Sequence, residues 1–237
     1  MSSKIENLLL KSKTPIKNNV YLISNVFPIE THKKIYNDLM NSENWGLLQT
    51  SNIDSQESKF WINSLGGYKK KTKYIQYSKF YEYDLYNRIV QYAYEVLKNK
   101  YEYDIDLIPI EIYANGQSKG QSGNWHQDST NENLWTFLYY VNTEWTNPHW
   151  GGCTHFADSV ENILSNSFKP NNGVLFNGTV WHYGEDPSIY SNKLRITLAY
   201  KLLVVKKNEI NYLDFIKKKS HQYKNHLQNR IQDIEYI

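Results

Sequence analysis

The chain has 237 residues, of which 40% are hydrophobic and 15% aromatic, and a net charge of +3. That length and apolar content predict one domain, 1–237, with a sizeable core. The mild charge gives no footing for a nucleic-acid or membrane partner, and the single cysteine, Cys153, excludes a disulfide framework and a cysteine-based zinc site.

A lone cysteine fits a reducing, cytoplasmic setting. The leading MSSKIENLLLKSKTPIK holds only a three-leucine apolar run, too short for a signal-peptide core. No segment approaches the ~18 apolar residues of a membrane span. The expectation is a soluble, cytosolic protein.

In chain order, residues 1–19 read as a polar lead-in. VYLISNVF (20–27) is rich in β-branched and aromatic residues and predicts a strand. A helix follows, with Pro28 able to occupy its first turn and Ile35 and Leu39 on one face. His32 is expected on the surface of that helix. Residues 41–75 are polar and irregular and read as a solvated loop, or as a flap whose KKKTK run (69–73) meets an anionic substrate. Residues 79–101 have helical spacing, with Leu85, Ile89, Tyr92 and Val96 in one stripe.

From 105 to 205 the texture changes to short β-like runs separated by Gly, Asn and Pro clusters: LIPIEIYA, LWTFLYYVN, CTHFAD, GVLFNG, VWHYG and LRITLAYKLLVV. Many short strands at this spacing predict an all-β sandwich, jelly roll or barrel. The tail, 207–237, returns to an apolar helical stripe. The layout is a helical buttress and loop region over 20–104, a β core over 105–205 and a closing helix.

The chemistry gathers in NWHQDST. His126 and Asp128 stand two apart, so on extended backbone they share a face and Gln127 points away. The pair alone is weak, because a His–Asp hydrogen bond is a common structural device. His182, in VWHYG, supplies a second imidazole. Two histidines and one carboxylate with open positions form the facial triad of non-haem Fe(II) oxygenases. Arg195 adds a fourth element. Alternation along LRITLAY puts Arg195, Thr197 and Ala199 on one face, against Leu194, Ile196, Leu198 and Tyr200 on the other. A guanidinium inside a barrel can clamp a carboxylate through two parallel hydrogen bonds.

The ordered set H-x-D … H … R-x-T, with YYVN and GG-x-T-x-F between, resembles the Fe(II)/2-oxoglutarate-dependent dioxygenases, above all their prolyl 4-hydroxylase-like branch. The resemblance covers roughly residues 20–205. It implies a double-stranded β-helix, a cupin-like jelly roll with flanking N-terminal helices and a C-terminal helix. It implies His126, Asp128 and His182 as iron ligands, and Arg195 and Tyr140 as holders of the distal carboxylate of 2-oxoglutarate. It places Tyr113 near cosubstrate or substrate, and Gly151, Gly152 and Thr154 beside the pocket. Thr197, on the Arg195 face, joins the cosubstrate side. Thr154 and His149, the latter in the loop NPHWGG, are further candidates for substrate contact.

The implied cofactors are Fe(II), 2-oxoglutarate and O₂, with ascorbate as an accessory reductant. The implied reaction hydroxylates a peptidyl or free amino-acid residue and releases succinate and CO₂. Asp128 favours hydroxylation, since related halogenases lack a carboxylate at that position. The substrate class stays open among peptide, amino acid and small molecule. Relatives that demethylate nucleic acid usually carry a second arginine where this chain has Lys201, which argues against that substrate. A non-catalytic cupin-like binding module is the reading from a different class. Trp125 and Trp181 are expected in core packing, Cys153 as a buried structural thiol and His155 as a non-ligand. The oligomeric state is not readable.

Overall fold

The structure is a computed structural model that describes residues 14–49, 59–67, 85–146 and 149–208. The expected closing helix over 207–237 and the KKKTK run lie outside these residues, apart from two at the start of the tail. Ten strands and two helices are described: β1 (Val20–Ile23), α1 (Ile29–Met40), β2 (Gly46–Gln49), β3 (Phe60–Gly67), α2 (Leu85–Leu97), β4 (Ile105–Gln117), β5 (Leu134–Tyr140), β6 (Thr154–Ala157), β7 (Ile163–Asn166), β8 (Gly173–Asn177), β9 (Trp181–Gly184) and β10 (Arg195–Lys206). No described helix is long and apolar enough to cross a membrane.

The strands form two antiparallel sheets. The major sheet runs β1-β8-β5-β10-β4-β3-β2 and the minor one β7-β6-β9. This arrangement is consistent with the expected double-stranded β-helix. Strand periodicity sorts the core into two halves. On β10, Ile196, Leu198, Tyr200 and Leu202 join Trp135, Phe137 and Tyr139 of β5 in an apolar layer under the helices. The alternate residues Leu138, Tyr140 and Ala199 face the minor sheet, where they pack with Phe156, Phe168 and Phe176. The site forms between the sheets, beside this second layer.

Three expectations change here. The segment read as irregular, 41–75, contributes β2 and β3; β3 pairs with β4, and β2 forms that edge of the major sheet. Phe60 and Ile62 alternate inward on it, a period-two signal hidden among polar neighbours. The inner face of α2 is Ile89, Ala93 and Leu97, all fully buried, with Tyr92 and Val96 only packed against that layer. His32 is 1% exposed rather than superficial. It shares the buried face of α1 with Ile35 and Leu39. Its Nδ1 lies 2.5 Å from the Tyr139 hydroxyl and its Nε2 3.1 Å from the Asn142 carbonyl oxygen, so the burial of a polar ring is compensated.

Candidate metal and cosubstrate site

His126 and His182 are brought together by backbone. They form an isolated antiparallel bridge in which each N–H donates to the other's carbonyl, at 3.0 and 2.9 Å. Residues paired in this way project side chains to the same side, and the two imidazole centroids are 4.3 Å apart. Asp128, two residues on, turns its carboxylate between the rings. His126 Nε2 is 3.7 Å from Asp128 Oδ1, and His182 Nε2 is 3.7 Å from Asp128 Oδ2. Those distances are too long for hydrogen bonds.

The tautomers fit metal binding. His126 Nδ1 is 2.8 Å from the Asn124 carbonyl oxygen and His182 Nδ1 is 2.9 Å from that of Val180. A carbonyl only accepts, so each Nδ1 carries the proton and each Nε2 offers a lone pair. Fixing one ring nitrogen to orient the other is how proteins present a histidine ligand. Burial, followed by repulsion from His126, pushes the His182 imidazole down to about 3. Burial also lowers His126. Burial alone would raise the Asp128 carboxyl, but Lys201 and the two histidines outweigh it and hold it well below the usual carboxylate range. Two neutral imidazoles and one carboxylate, with ligand atoms all within 4.8 Å of one another, are a donor set suited to Fe(II).

The remaining walls come from β10 and β4. Arg195, Thr197, Ala199 and Lys201 alternate into a cavity of ≈ 260 Å³ opposite Glu111, Tyr113, Asn115 and Gln117. Arg195 is 2% exposed. Its Nε donates to the Gly152 carbonyl (2.8 Å), Nη1 to Gln117 Oε1 (2.7 Å) and Nη2 to Thr154 Oγ1 (3.0 Å). Among the described residues no carboxylate lies within ion-pair distance of it. A buried cation without a counter-ion is strongly unfavourable unless an anion arrives. The cavity wall that carries the triad therefore also carries a guanidinium that, among the described residues, has no carboxylate at ion-pair distance, which fits a carboxylate cosubstrate. Gly152 has φ +78°, and a Cβ there would come within 3.2 Å of Arg195 Cδ and 3.0 Å of Trp145, so a glycine is needed where this carbonyl meets the guanidinium.

Other expected residues fall in various places. Thr154, Thr197 and Tyr113 line the cavity. Tyr140 is fully buried behind Thr154. Its hydroxyl donates to Thr154 Oγ1 at 3.0 Å and accepts from Asn166 Nδ2 at 2.7 Å, so it braces the Arg195 end through Thr154. His149 is exposed in its loop, its carbonyl accepting from Ser188 Oγ at 2.5 Å, and it does not line the cavity. Gln127 is tethered by its amide to the Thr179 carbonyl at 2.5 Å, though part of it still borders the cavity. Trp125 and Trp181 are half-buried rather than core. The Trp125 ring lies against Tyr183 at 4.7 Å. Cys153 is also only half-buried, immediately before β6.

Lys201 and Thr136 were not anticipated as site residues. The Lys201 ammonium, 7% exposed, is ion-paired with Asp128 and donates to Thr136 Oγ1 at 3.1 Å. Thr136 donates in turn to Asp128 Oδ2 at 2.6 Å. The signal was present, since Lys201 continues the inward alternation from Arg195. Lys201→Met leaves Asp128 buried without its nearest cation, and breaking a buried pair costs about 3–5 kcal/mol. A bound divalent ion restores a positive partner. The melting temperature of the metal-free variant is therefore expected to fall well below wild type, and Mn(II) to recover most of the difference. Calorimetry with and without metal checks this.

Acid acts on the same groups. His32, His126 and His182 all have pKa values lowered from 6.5, chiefly by burial. A histidine kept neutral in the fold takes its proton only on unfolding. Stability is thus full above pH 6.5 and falls as pH drops, for His182 down to about 3. Each such histidine removes about 1.4 kcal/mol per pH unit within its window. The urea midpoint of the metal-free protein is expected to drop steadily from pH 7 to pH 5.

Fold and site together define a class. The chain has the fold of the Fe(II)- and 2-oxoglutarate-dependent oxygenases, with a candidate His-Asp-His facial triad in its pocket. Solved structures give the particular likenesses. One is a prolyl hydroxylase from Trichoplax adhaerens in complex with a hypoxia-inducible-factor degradation-domain peptide: TM-score 0.58, 14% identity, 85% of this chain and 91% of that one. A viral collagen prolyl hydroxylase from Paramecium bursaria Chlorella virus-1, as a 2-oxoglutarate complex, has TM-score 0.52, 13% identity and coverages of 78% and 96%. The epimerase SnoN with Fe³⁺, α-ketoglutarate and a nogalamycin compound has TM-score 0.57, 9% identity and coverages of 86% and 84%. No family model and no curated protein matches the sequence.

Proposed function

We propose that the protein is an Fe(II)- and 2-oxoglutarate-dependent oxygenase that hydroxylates a peptidyl or free amino-acid residue and works in the cytoplasm. The observation that carries the reading is the buried Arg195 guanidinium, with no carboxylate at ion-pair distance among the described residues, in the wall of the cavity that holds His126, Asp128 and His182. These three side chains would hold the iron, and Arg195, braced by Thr154, Gln117 and Tyr140, would hold the far carboxylate of 2-oxoglutarate. Iron, 2-oxoglutarate and O₂ would together supply the oxidising chemistry, with O₂ as the oxidant and succinate and CO₂ as products.

The chain's own residues perform the positioning. Asn124 and Val180 fix the ligand imidazoles through their carbonyls. Thr136 and Lys201 hold the Asp128 carboxylate. Holding both ends of a cosubstrate in one geometry removes most of its orientational freedom before reaction, and Leu138 and Phe176 close the apolar side of the cavity. The likeness to a peptide-bound prolyl hydroxylase supports a peptide or amino-acid substrate. The likeness to an epimerase supports a small molecule as the second reading.

Succinate formation with Fe(II), 2-oxoglutarate, ascorbate and O₂, measured across proline-containing peptides, free amino acids, small molecules and nucleic acids, tests this. Stimulation by a peptide or amino acid supports the reading. Stimulation only by a small molecule or a nucleic acid moves the substrate class. Stoichiometric failure to bind Fe(II) leaves a non-catalytic module.

A further inference from the structure

The minor sheet has a second chemically loaded face. Cys153, immediately before β6, and His155, within it, lie two residues apart, and alternation puts both on the side opposite Thr154. The β6–β9 register pairs Thr154 with Gly184 and His155 with Tyr183, which sets Glu185 across from Cys153. The Glu185 N–H donates to the Cys153 carbonyl at 2.9 Å, and the Cys153 N–H donates to Glu185 Oε2 at 2.9 Å. The thiol sulfur, an imidazole nitrogen and a carboxylate oxygen thereby gather within 4.8 Å of one another.

The His155 ring is held ready. Its Nδ1 is 2.8 Å from Ser165 Oγ, and its plane stacks on Tyr183 at 4.6 Å and 12°. Its Nε2 is buried and has no hydrogen-bond partner among the described residues. The nearest carboxylate oxygen, Glu185 Oε2, stands 3.9 Å away, beyond hydrogen-bond reach. A buried ring nitrogen left open, with its twin engaged by a hydroxyl, is the arrangement of a ligating histidine.

We propose that Cys153, His155 and Glu185 form a second metal site, distinct from the triad, for a divalent ion of borderline softness such as zinc; with one thiolate among mixed ligands it is not the multi-cysteine site that a single cysteine excludes. A thiolate, an imidazole and a carboxylate give three protein ligands and leave one position for water. The thiol proton passes to solvent when the metal binds. Bond lengths of about 2.0–2.3 Å place tetrahedral donors about 3.3–3.8 Å apart, so the side chains close by about 1 Å. Cys153 and Glu185 are only partly buried, which leaves room for that movement. Sulfur distinguishes this site from the N/O triad, so the two faces of the minor sheet select different ions. Occupancy would pin β6 to β9 at the point where Gly152 and Thr154 hold Arg195.

The experiment is an anaerobic cobalt(II) titration of the full chain, followed in the near-ultraviolet for thiolate-to-cobalt charge transfer. Two equivalents are expected, with the band belonging to one of them. The double variant His126→Ala, His182→Ala keeps the band. Cys153→Ser and His155→Gln lose it. Because Cys153→Ser alone could perturb folding, modification of the thiol by a disulfide reagent is timed in wild type and in Glu185→Gln, whose carboxylate is partly exposed. Zinc slows modification by at least about 10-fold in wild type and much less in the variant. Absence of the band, a single equivalent lost with the triad histidines, or a modification rate indifferent to zinc would each overturn the proposal.

Discussion

Replacing Arg195 with methionine raises the 2-oxoglutarate concentration needed for half-maximal turnover by about 30-fold or more. That factor is about 2 kcal/mol, the lower end of the cost of truncating one partner of a buried, hydrogen-bonded charge pair. The guanidinium is fully desolvated and its three hydrogen bonds hold it in one orientation, so little reorganisation is needed when a carboxylate binds. Turnover at saturating 2-oxoglutarate should fall less than affinity, because Arg195 stands apart from the triad. Arg195→Lys keeps the charge but not the fork. It is expected to fall between methionine and wild type. Loss of the Gly152, Gln117 and Thr154 contacts also lowers stability, so the melting temperature of each variant is measured beside its kinetics. Equal 2-oxoglutarate requirements in wild type and Arg195→Met would assign the guanidinium a purely structural role.

Substituting the triad has the larger effect. His126→Ala, Asp128→Ala and His182→Ala are each expected to reduce succinate formation by more than about 100-fold, the upper range for disturbing a partner of a metal ligand. Asp128→Ala carries a second consequence. It leaves the Lys201 ammonium buried without its carboxylate, so this variant is expected to melt below the histidine variants. The combined change Asp128→Ala, Lys201→Met removes both charges and should recover stability without recovering activity. Activity and melting temperature measured on the four proteins separate ligation from folding.

The site was legible where alternation is strict. The inward face of β10 follows from period two alone, and the same rule extends from Arg195, Thr197 and Ala199 to Lys201. The joining of His126 to His182 was not legible as geometry, because it rests on two backbone hydrogen bonds between segments far apart in sequence. Strands β2 and β3 were hidden because the inward residues Phe60 and Ile62 sit within a stretch, 41–75, that is otherwise mostly polar. His32 was misplaced because a histidine on a helix reads as polar until a tyrosine hydroxyl and a carbonyl are found to satisfy it. Cys153 was judged as a single cysteine, and only the β6–β9 register brings His155 and Glu185 to its side.

An anaerobic calorimetric titration of 2-oxoglutarate into the protein, with and without Fe(II), tests the central claim without knowledge of the substrate. The account predicts one equivalent bound per chain, dependent on Fe(II), and markedly weakened in Arg195→Met. No binding, or binding of equal strength in the absence of metal, would contradict it.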